Sequence, residues 1–332
     1  MAADLDVLNL LIIAGGTLAV PILVFVASFL FWPSALIKVY YWYWRRTLGL
    51  QVRYADCSGY RFCYSFRGKP GMRPSILMLH GFSAHKDTWL TVVKYLPKHL
   101  HIVCVDMPGH EGTSRTNTED YSIQGQVRKI HQFVEIIRLN RKPFHLVGTS
   151  MGGNVAGVYA AWYPAEICSM TLICPDGQSV HPCETKFDNH LQDLEHSNYT
   201  LNIPLIPTTP EEMEDMFRLC SHILQGLVDF REPHNPFYLE VFMEIIGEKS
   251  RYALQEHLHL ITAPLQVIWG KQDQVTMMSS LCSGGLVNNH CPVFVENCGH
   301  SVVMERPCRT AKLILDFIIT QQNARGGTKK SS

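Results

Sequence analysis

A glycine-flanked serine, set between an apolar run and a stretch of small residues, is the feature that most constrains this chain. The motif G-T-S-M-G at residues 148–152 overlaps the end of an apolar run at 144–148 and precedes small residues at 153–160. On a sharp strand-to-helix turn, the glycines avoid collisions between a Cβ and neighbouring backbone, and the serine stands exposed at the helix N-terminus. A phosphate-binding loop would need a lysine that this motif lacks. The context therefore predicts a nucleophile elbow with Ser150 as the nucleophile.

From residue 51 onward, short apolar runs alternate with longer amphipathic stretches such as residues 123–139, where Val127, Ile130 and Val134 recur at helical spacing. The predicted strands are residues 61–66, 75–79, 101–106, 144–148, 169–174, 265–269 and 292–296. Several are nearly continuous in Val, Ile, Leu and Phe, which is typical of strands covered on both faces. The alternation predicts an α/β fold with a doubly wound, mostly parallel sheet.

The alternation stops between Pro175 and Ile261. The sequence T-P-E-E at residues 209–212 provides a capping threonine, a proline at the first helical position and a glutamate at the third. A segment of about 85 residues is far longer than one crossover connection. We therefore predict a helical lid at residues 176–260, which divides the core into residues 51–175 and 261–323 and lies over the ligand-binding edge of the sheet. Residues 324–332 form a polar tail.

The N-terminal segment has a different character. Residues 10–32 contain no charged side chain, and about 23 residues at about 1.5 Å each are long enough to cross a hydrocarbon core of roughly 30 Å. The alternatives are a buried core helix and a cleaved signal peptide, but no positive region precedes the run and Trp32-Pro33 is a poor cleavage site. We predict a transmembrane signal anchor at residues 10–32, with residues 1–9 lumenal or extracellular.

Flanking residues predict the orientation of this anchor. Lys38, Arg45 and Arg46 follow the run, whereas acidic residues precede it, and positive loops stay cytoplasmic. The juxtamembrane segment 33–50 also holds the aromatic sequence Y-Y-W-Y-W, typical of the bilayer interface. We therefore expect a cytosolic catalytic domain. The sequon Asn198-Tyr199-Thr200 would be glycosylated only in the inverted orientation.

The charge balance and the cysteine spacing argue against a nucleic-acid-binding or metal-binding protein. The chain has 29 basic and 29 acidic residues, so no global positive field would attract nucleic acid. Its 11 cysteines show neither C-x-x-C pairs nor zinc-type spacing, which indicates reduced thiols and no metal site. We expect neither nucleic acid nor a metal or organic cofactor to bind.

A serine nucleophile needs a base and an orienting carboxylate. Among the 16 histidines, His300 follows the last apolar strand, and Gly299 allows a loop to bring it back over the sheet edge. Asp273 and Asp176 each stand just past a strand end. We prefer Asp273 because the chain order Ser, Asp, His then matches the hydrolase arrangement, and Asp176 stays open as the alternative acid.

The oxyanion requires two backbone N–H donors. Met151 directly follows the nucleophile, and Phe82 lies in H-G-F-S after the strand at residues 75–79. These two residues are the predicted oxyanion hole. We assign no chemistry to Asp106 or His110, which we expect to build structure beside the site.

The motifs H-G-F, D-x-P-G-x-x-G, G-x-S-x-G, late G-K-x-D and late G-H resemble the α/β-hydrolase superfamily over residues 51–323. With the N-terminal anchor, W-R-R and N-C-G-H-S-V-V-M-E, the chain is similar to the membrane-anchored monoacylglycerol lipases of that superfamily. The resemblance implies cleavage of monoacylglycerols such as 2-arachidonoylglycerol, and of some lysophospholipids, by Ser150, Asp273 and His300. It also implies a bilayer as partner, in endosomal, lysosomal or plasma membranes.

Two stretches depart from the family pattern: residues 219–226 look shorter, and residues 276–289 poorly match the amphipathic helix expected after the acid. Two other functions remain open. A lipid acyltransferase would use the same acyl-enzyme, although one such family carries an aspartate where this chain has Glu305. A membrane interaction protein would bind receptor subunits independently of catalysis.

Overall fold

The computed structural model describes residues 2–57, 59–116, 118–175, 203–222, 235–276 and 292–328. The chain divides into two compact units, one ending at Thr47 and the other starting at Leu48. The N-terminal unit contains helices α1 (Ala2–Phe31) and α2 (Pro33–Thr47). Helix α1 covers most of the predicted transmembrane segment at residues 10–32. None of the helices in the described ranges combines the length and apolar character that crossing a bilayer requires.

The second unit is built on one eight-stranded sheet with the order β1-β2-β4-β3-β5-β6-β7-β8. Its strands are β1 (Gln51–Cys57), β2 (Tyr60–Arg67), β3 (Ile76–Leu79), β4 (Ile102–Val105), β5 (Phe144–Thr149), β6 (Ile167–Ile173), β7 (Leu265–Gly270) and β8 (Val293–Val295). The first two strands form an antiparallel hairpin, β2 pairs antiparallel with β4, and the other pairs are parallel. This confirms the predicted α/β class.

Every predicted strand is present, but β1 was not predicted. This edge strand reads Q-V-R-Y-A-D-C, and Ala55 is its one buried side chain. An edge strand with an exposed face needs no apolar run, because it pairs on one side and can face water. By contrast, β3, β4, β5 and β6 are buried along their whole length, as their apolar runs predicted.

The helices of the second unit are α3 (Leu90–Val93), α4 (Ile123–Ile136), α5 (Met151–Trp162), α6 (Pro210–Cys220), α7 (Asn235–Ile246), α8 (Glu248–Arg251), α9 (Ala253–His257), α10 (Val302–Glu305) and α11 (Pro307–Thr328). Helix α4 buries Val127, Ile130 and Val134, the face that its sequence predicted. Helix α11 continues into residues 324–328, where we predicted a polar tail.

Helix α6 begins as its sequence predicted. The Glu212 N–H donates to the Thr209 hydroxyl at 3.2 Å, and the Glu212 carboxylate accepts from the Thr209 N–H. These reciprocal bonds confirm the capping box. We call residues 203–222 and 235–260 the cap, since they fall within the predicted lid. The lid boundaries stay a prediction, and the sequon at Asn198 lies outside the described residues.

The cap has an apolar interior. Its buried side chains pack together with one residue from outside the cap. We call this group the cap cluster, which consists of Ile203, Ile206, Phe242, Ile246 and Val275. Val275 comes from the turn after β7, not from the cap itself, and the partly buried Phe82 also packs against the cluster. Apolar contacts therefore join the cap to two loops at the edge of the sheet.

Burial of His80 and His145 makes the fold sensitive to acid. Burial lowers the pKa of His145 to about 3 from an ordinary 6.5. Burial, reinforced by the nearby His110, lowers the pKa of His80 to about 3 as well. His145 lies on β5, with Nδ1 2.7 Å from Ser169 Oγ and Nε2 3.1 Å from Thr171 Oγ1. Both imidazoles are neutral in the folded chain at physiological pH.

We expect the free energy of unfolding to fall as the pH drops from about 6.5 toward about 3, because only the unfolded chain then binds protons at these histidines. At about pH 5, each buried histidine costs about 2 kcal/mol. His145→Gln removes one of these groups and should reduce the loss by about that amount. Urea unfolding at about pH 7.5 and pH 5 measures it. An equal loss in variant and wild type would contradict this assignment.

Candidate active site

Ser150 lies between β5 and α5 in an unusual backbone conformation. Its φ is 54° and its ψ is −128°, in the region that residues with a Cβ rarely adopt. The Ser150 N–H donates to the Ile173 carbonyl at 3.0 Å, and the Gly153 N–H donates to the Ser150 carbonyl at 2.8 Å. Such strain costs about 1–3 kcal/mol and persists where the surroundings enforce it. The turn therefore has the geometry of a nucleophile elbow.

The neighbouring glycines have no room for a side chain. A Cβ on Gly148 would lie 2.7 Å from the Gly153 Cα, and one on Gly152 would lie 2.8 Å from the Leu79 carbonyl carbon. A Cβ on Gly81 would lie 3.0 Å from the Ser150 Cβ. The elbow thus packs directly against the loop that follows β3, which is the loop that carries Phe82.

His300 lies between the serine and the acid that we preferred. Its Nε2 is 2.9 Å from Ser150 Oγ, and its Nδ1 is 2.9 Å from Asp273 Oδ2. An ionised carboxylate only accepts hydrogen bonds, so Nδ1 carries the proton and donates it to Asp273. This leaves Nε2 free to accept from the Ser150 hydroxyl. The structure therefore brings Ser150, His300 and Asp273 together in the arrangement that nucleophilic acyl transfer requires.

The Asp273 carboxylate is buried, with its side chain 2% exposed. Oδ1 accepts from the Val275 N–H at 2.8 Å and the Thr276 N–H at 3.1 Å, while Oδ2 accepts from the Thr276 hydroxyl at 2.9 Å. Burial would raise the pKa of Asp273, but His300 and these N–H donors hold it below its ordinary value. The acid is ionised and oriented from both sides.

Thr276 is a residue that the sequence analysis missed. The stretch 276–289 looked atypical for the family, yet its first residue supplies two of the donors that hold Asp273. The spacing D-x-x-T, in which a side chain binds N–H groups just ahead of it, was the available signal. Residues 277–289 lie outside the described residues.

Thr276→Val should lower kcat by about tenfold, because losing a hydrogen bond to a charged group costs roughly 1.5 kcal/mol. The backbone N–H would still bind Oδ1, so the carboxylate would stay in place but rotate more freely. Thr276→Ser is the matched control, since it keeps the hydroxyl. Steady-state kinetics on one ester would compare them. Equal rates for the valine and serine variants would refute a role for this hydroxyl.

The predicted oxyanion donors belong to the two segments that meet at the elbow: Met151 follows Ser150, and Phe82 follows Gly81, where an added Cβ would lie 3.0 Å from the Ser150 Cβ. Within the described part of the chain, neither the Met151 N–H nor the Phe82 N–H meets a protein acceptor. His80 supports the Phe82 loop, because it donates from Nδ1 to the Gly81 carbonyl and accepts the Met107 N–H at Nε2, both at 2.8 Å. The oxyanion role of these two N–H groups stays a prediction.

His110 and Asp106 support the same region. His110 Nε2 accepts the Ser83 N–H at 3.1 Å, where the backbone of Ser83 has a φ of 51°. Asp106 is buried and pairs with Lys86 Nζ at 2.8 Å. These contacts support the loop that follows β3, and they indicate a structural role for both side chains beside the site.

One trio of side chains could in principle hold a metal. Cys174, Asp273 and His300 place one ligand atom each within 4.8 Å of one another. However, burial and the adjacent Asp273 raise the pKa of the Cys174 thiol well above its ordinary value, so the sulfur is a protonated thiol and a poor ligand. A metal would also displace the His300–Asp273 bond. Asp176, the alternative acid, lies outside the described residues.

Comparisons with known proteins identify the family of this chain. Residues 74–224 match the family model described as the α/β hydrolase fold. The chain is 61% identical to monoacylglycerol lipase ABHD6 of Rattus norvegicus over 98% of this chain and 99% of the relative. It is 60% identical to the Homo sapiens protein of the same name, with the same coverage.

Solved structures share the architecture. A membrane phospholipase A, a bacterial virulence factor, aligns with a TM-score of 0.76 at 25% identity, over 92% of this chain and 98% of that one. A meta-cleavage product hydrolase from Pseudomonas fluorescens aligns with a TM-score of 0.65 at 21% identity, over 81% of this chain and 97% of that one; this second likeness concerns the fold alone. With the identities above, the chain belongs to the α/β-hydrolases and, within them, to the ABHD6 family.

Proposed function

We propose that this protein is a membrane-anchored serine hydrolase that cleaves monoacylglycerols to fatty acid and glycerol. The observation that carries the proposal is the continuous hydrogen-bonded chain from Ser150 through His300 to Asp273, with 2.9 Å at each step. The substrate class follows from the relatives, which are named monoacylglycerol lipases. Lysophospholipids are a second class of single-chain ester that the same chemistry would cleave.

Acylation uses the groups in the order in which they are linked. Ser150 Oγ attacks the ester carbonyl carbon while its proton passes to His300 Nε2. The negative charge that develops on the carbonyl oxygen is stabilised by the N–H groups of Phe82 and Met151. Asp273 stabilises the imidazolium that forms. His300 then protonates the glycerol oxygen as the bond from carbon to that oxygen breaks.

Deacylation repeats these steps with water. His300 Nε2 removes a proton from a water molecule, whose oxygen attacks the acyl-serine carbonyl. The bond between the acyl carbon and Ser150 Oγ then breaks, Oγ recovers its proton from His300, and the fatty acid leaves. No residue is consumed, and the chain supplies every acid and base the cycle needs.

The apolar interior of the cap favours a substrate with an apolar chain. Phe82 belongs to the predicted oxyanion loop and Val275 to the turn that holds Asp273, and both pack in or against the cap cluster. An acyl chain extending from the reacting carbonyl toward the cap would meet Ile206 and Phe242 and leave water. An ester with a long apolar chain therefore fits this side of the site better than a polar one.

The N-terminal unit supports attachment to a bilayer. The uncharged run at residues 10–32 has the length of a transmembrane helix. Helix α2 then exposes Tyr40, Trp42 and Tyr43 and carries Arg45 and Arg46 in its last turn, a composition suited to a cytosolic membrane interface. We infer a single-pass anchor that holds the catalytic unit where single-chain lipids partition.

The function is tested with the full-length protein in membranes. We expect covalent labelling by a fluorophosphonate probe and release of free fatty acid from monoacylglycerol, with lysophospholipid as a second substrate. Adding an excess of an alcohol acceptor distinguishes an acyltransferase, which would form new ester at the expense of fatty acid. A labelled protein that cleaves none of these lipid esters would overturn the proposed substrate class.

The anchor has its own test. Extraction of membranes with alkaline carbonate should leave the full-length protein in the pellet, and Asn198 should carry no glycan when the protein is made in mammalian cells. Release into the supernatant would contradict a transmembrane anchor, whereas a glycan on Asn198 would contradict the cytosolic orientation.

A further inference from the structure

Glu305 is a buried carboxylate, 9% exposed, that the mechanism above does not use. It lies at the end of α10, five positions after His300. Its Oε1 accepts the N–H of Gly299 at 3.0 Å, and its Oε2 accepts the N–H of His222 at 2.9 Å. One oxygen therefore holds the residue before His300, and the other holds the cap segment just after α6.

The same two segments touch at a second point. The Ser301 N–H donates to the Cys220 carbonyl at 2.9 Å. Of the two neighbours of His300, Ser301 therefore binds the end of α6 directly, and Gly299 is linked to His222 through Glu305. A Cβ on Gly299 would lie 3.0 Å from the His222 nitrogen and 3.2 Å from Glu305 Oε1. The His300 loop and the end of α6 are in direct contact.

From this geometry we propose that Glu305 is a positioning residue that couples the cap to His300. The inference rests on the proposed hydrolase function, because it assigns Glu305 a part in that reaction. Glu305 touches no reacting atom. Its carboxylate fixes the backbone at Gly299 relative to the cap, and the His300 imidazole follows that backbone.

The coupling matters because a small displacement of the His300 imidazole would lower the reaction rate. Its two ring nitrogens must stay within hydrogen-bonding distance of Ser150 Oγ and Asp273 Oδ2 at the same time, and a displacement of about 1 Å at such a site costs roughly 100-fold in rate. The cap cluster meanwhile contacts Phe82 and contains Val275. The cap thus contacts the oxyanion loop, the acid turn and the histidine loop, and Glu305 supplies the polar part of that contact.

Glu305→Gln is the informative change, since it keeps the size of the side chain. An amide offers one acceptor oxygen and an NH₂ that cannot accept, so one of the two N–H bonds is lost. We expect kcat to fall by about 10- to 100-fold with KM unchanged. The fall should be the same for a short p-nitrophenyl ester and for a monoacylglycerol, and the rate of fluorophosphonate labelling should fall in parallel.

Glu166→Gln is the matched control. Glu166 is a partly buried carboxylate that also links separate segments: it accepts from the Asn140 amide at 2.7 Å and from the Tyr159 hydroxyl, and it lies 3.3 Å from His131 Nε2. It follows the C-terminal end of α5, whereas Ser150 precedes the N-terminal end. This variant should lose stability without a change in kcat. Melting temperatures of both variants would be measured, with kinetics at a temperature well below both transitions.

The results separate the alternatives. A fall in kcat alone, in the Glu305 variant and not in the Glu166 variant, supports the coupling. An unchanged kcat, an equal fall in both variants, or a loss confined to KM that grows with acyl length would overturn it. A wild-type protein that cleaves no ester would instead refute the proposed function, which the wild-type arm of the same assay tests.

Discussion

Replacing Ser150 with alanine is expected to lower kcat for monoacylglycerol hydrolysis by roughly 10³-fold or more. In the proposed mechanism the hydroxyl oxygen is the atom that becomes bonded to the acyl group, and alanine has no atom in its place. Cys174, whose sulfur lies within 4.8 Å of the acid and the base, is fully buried, and burial keeps its thiol protonated. Fluorophosphonate labelling should disappear together with the activity, since both depend on the same oxygen.

The alanine variant should fold as well as the wild type. The elbow conformation at a φ of 54° is imposed by the packing of β5 and α5, and alanine has the same Cβ as serine. KM should change little, because the proposed binding contacts of the substrate are with the cap and the oxyanion donors rather than with the hydroxyl. Hydrolysis by the variant at the wild-type rate would refute the mechanism. A variant that lacks hydrolysis but retains every cellular effect would favour the alternative function as a membrane interaction protein.

The fold could be predicted wherever burial determines the residue types. Strands β3, β5 and β6 are covered on both faces, so their positions must be apolar and the runs are visible in the sequence. Strand β1 was not predicted, because most of its positions are exposed and accept polar residues, so the strand shows no apolar run. The cap helix α6 was predictable from its start, since the capping box satisfies backbone donors that its own helix cannot.

The site was predictable to the extent that chemistry and chain order fix residue types. Ser150, Asp273 and His300 each follow a strand, and parallel strands bring those ends to one edge. Thr276 could be found only from the local D-x-x-T spacing. Glu305 could not be found from the sequence, because the role proposed for it depends on which backbone N–H groups lie within about 3 Å. Residue 222, which donates to Glu305, is 83 positions away in the chain, and no local pattern indicates that contact.

Asp273→Asn should lower kcat by roughly 10³- to 10⁴-fold while leaving the fold intact. The reason lies in the turn that holds this residue. The two N–H groups of Val275 and Thr276, at 2.8 and 3.1 Å, both point at Oδ1, so an asparagine must place its oxygen there. Its NH₂ group then faces His300 Nδ1, and two donors cannot share that bond. The imidazole is driven to carry its proton on Nε2, where it can no longer accept from Ser150.

Asp176→Asn distinguishes the two acids that the sequence left open. If Asp273 orients His300, as the 2.9 Å contact indicates, the Asp176 variant should keep a rate close to that of the wild type, and the Asp273 variant should lose nearly all of its activity. The opposite result would make Asp176 the acid, and the hydrogen bond between His300 and Asp273 would then not describe the reacting enzyme. Circular dichroism of both variants checks the fold, and single-turnover acylation by a chromogenic ester measures the step that depends on the Nε2 lone pair. A tautomer effect predicts that acylation falls in proportion to kcat, since the same base acts in both halves of the cycle.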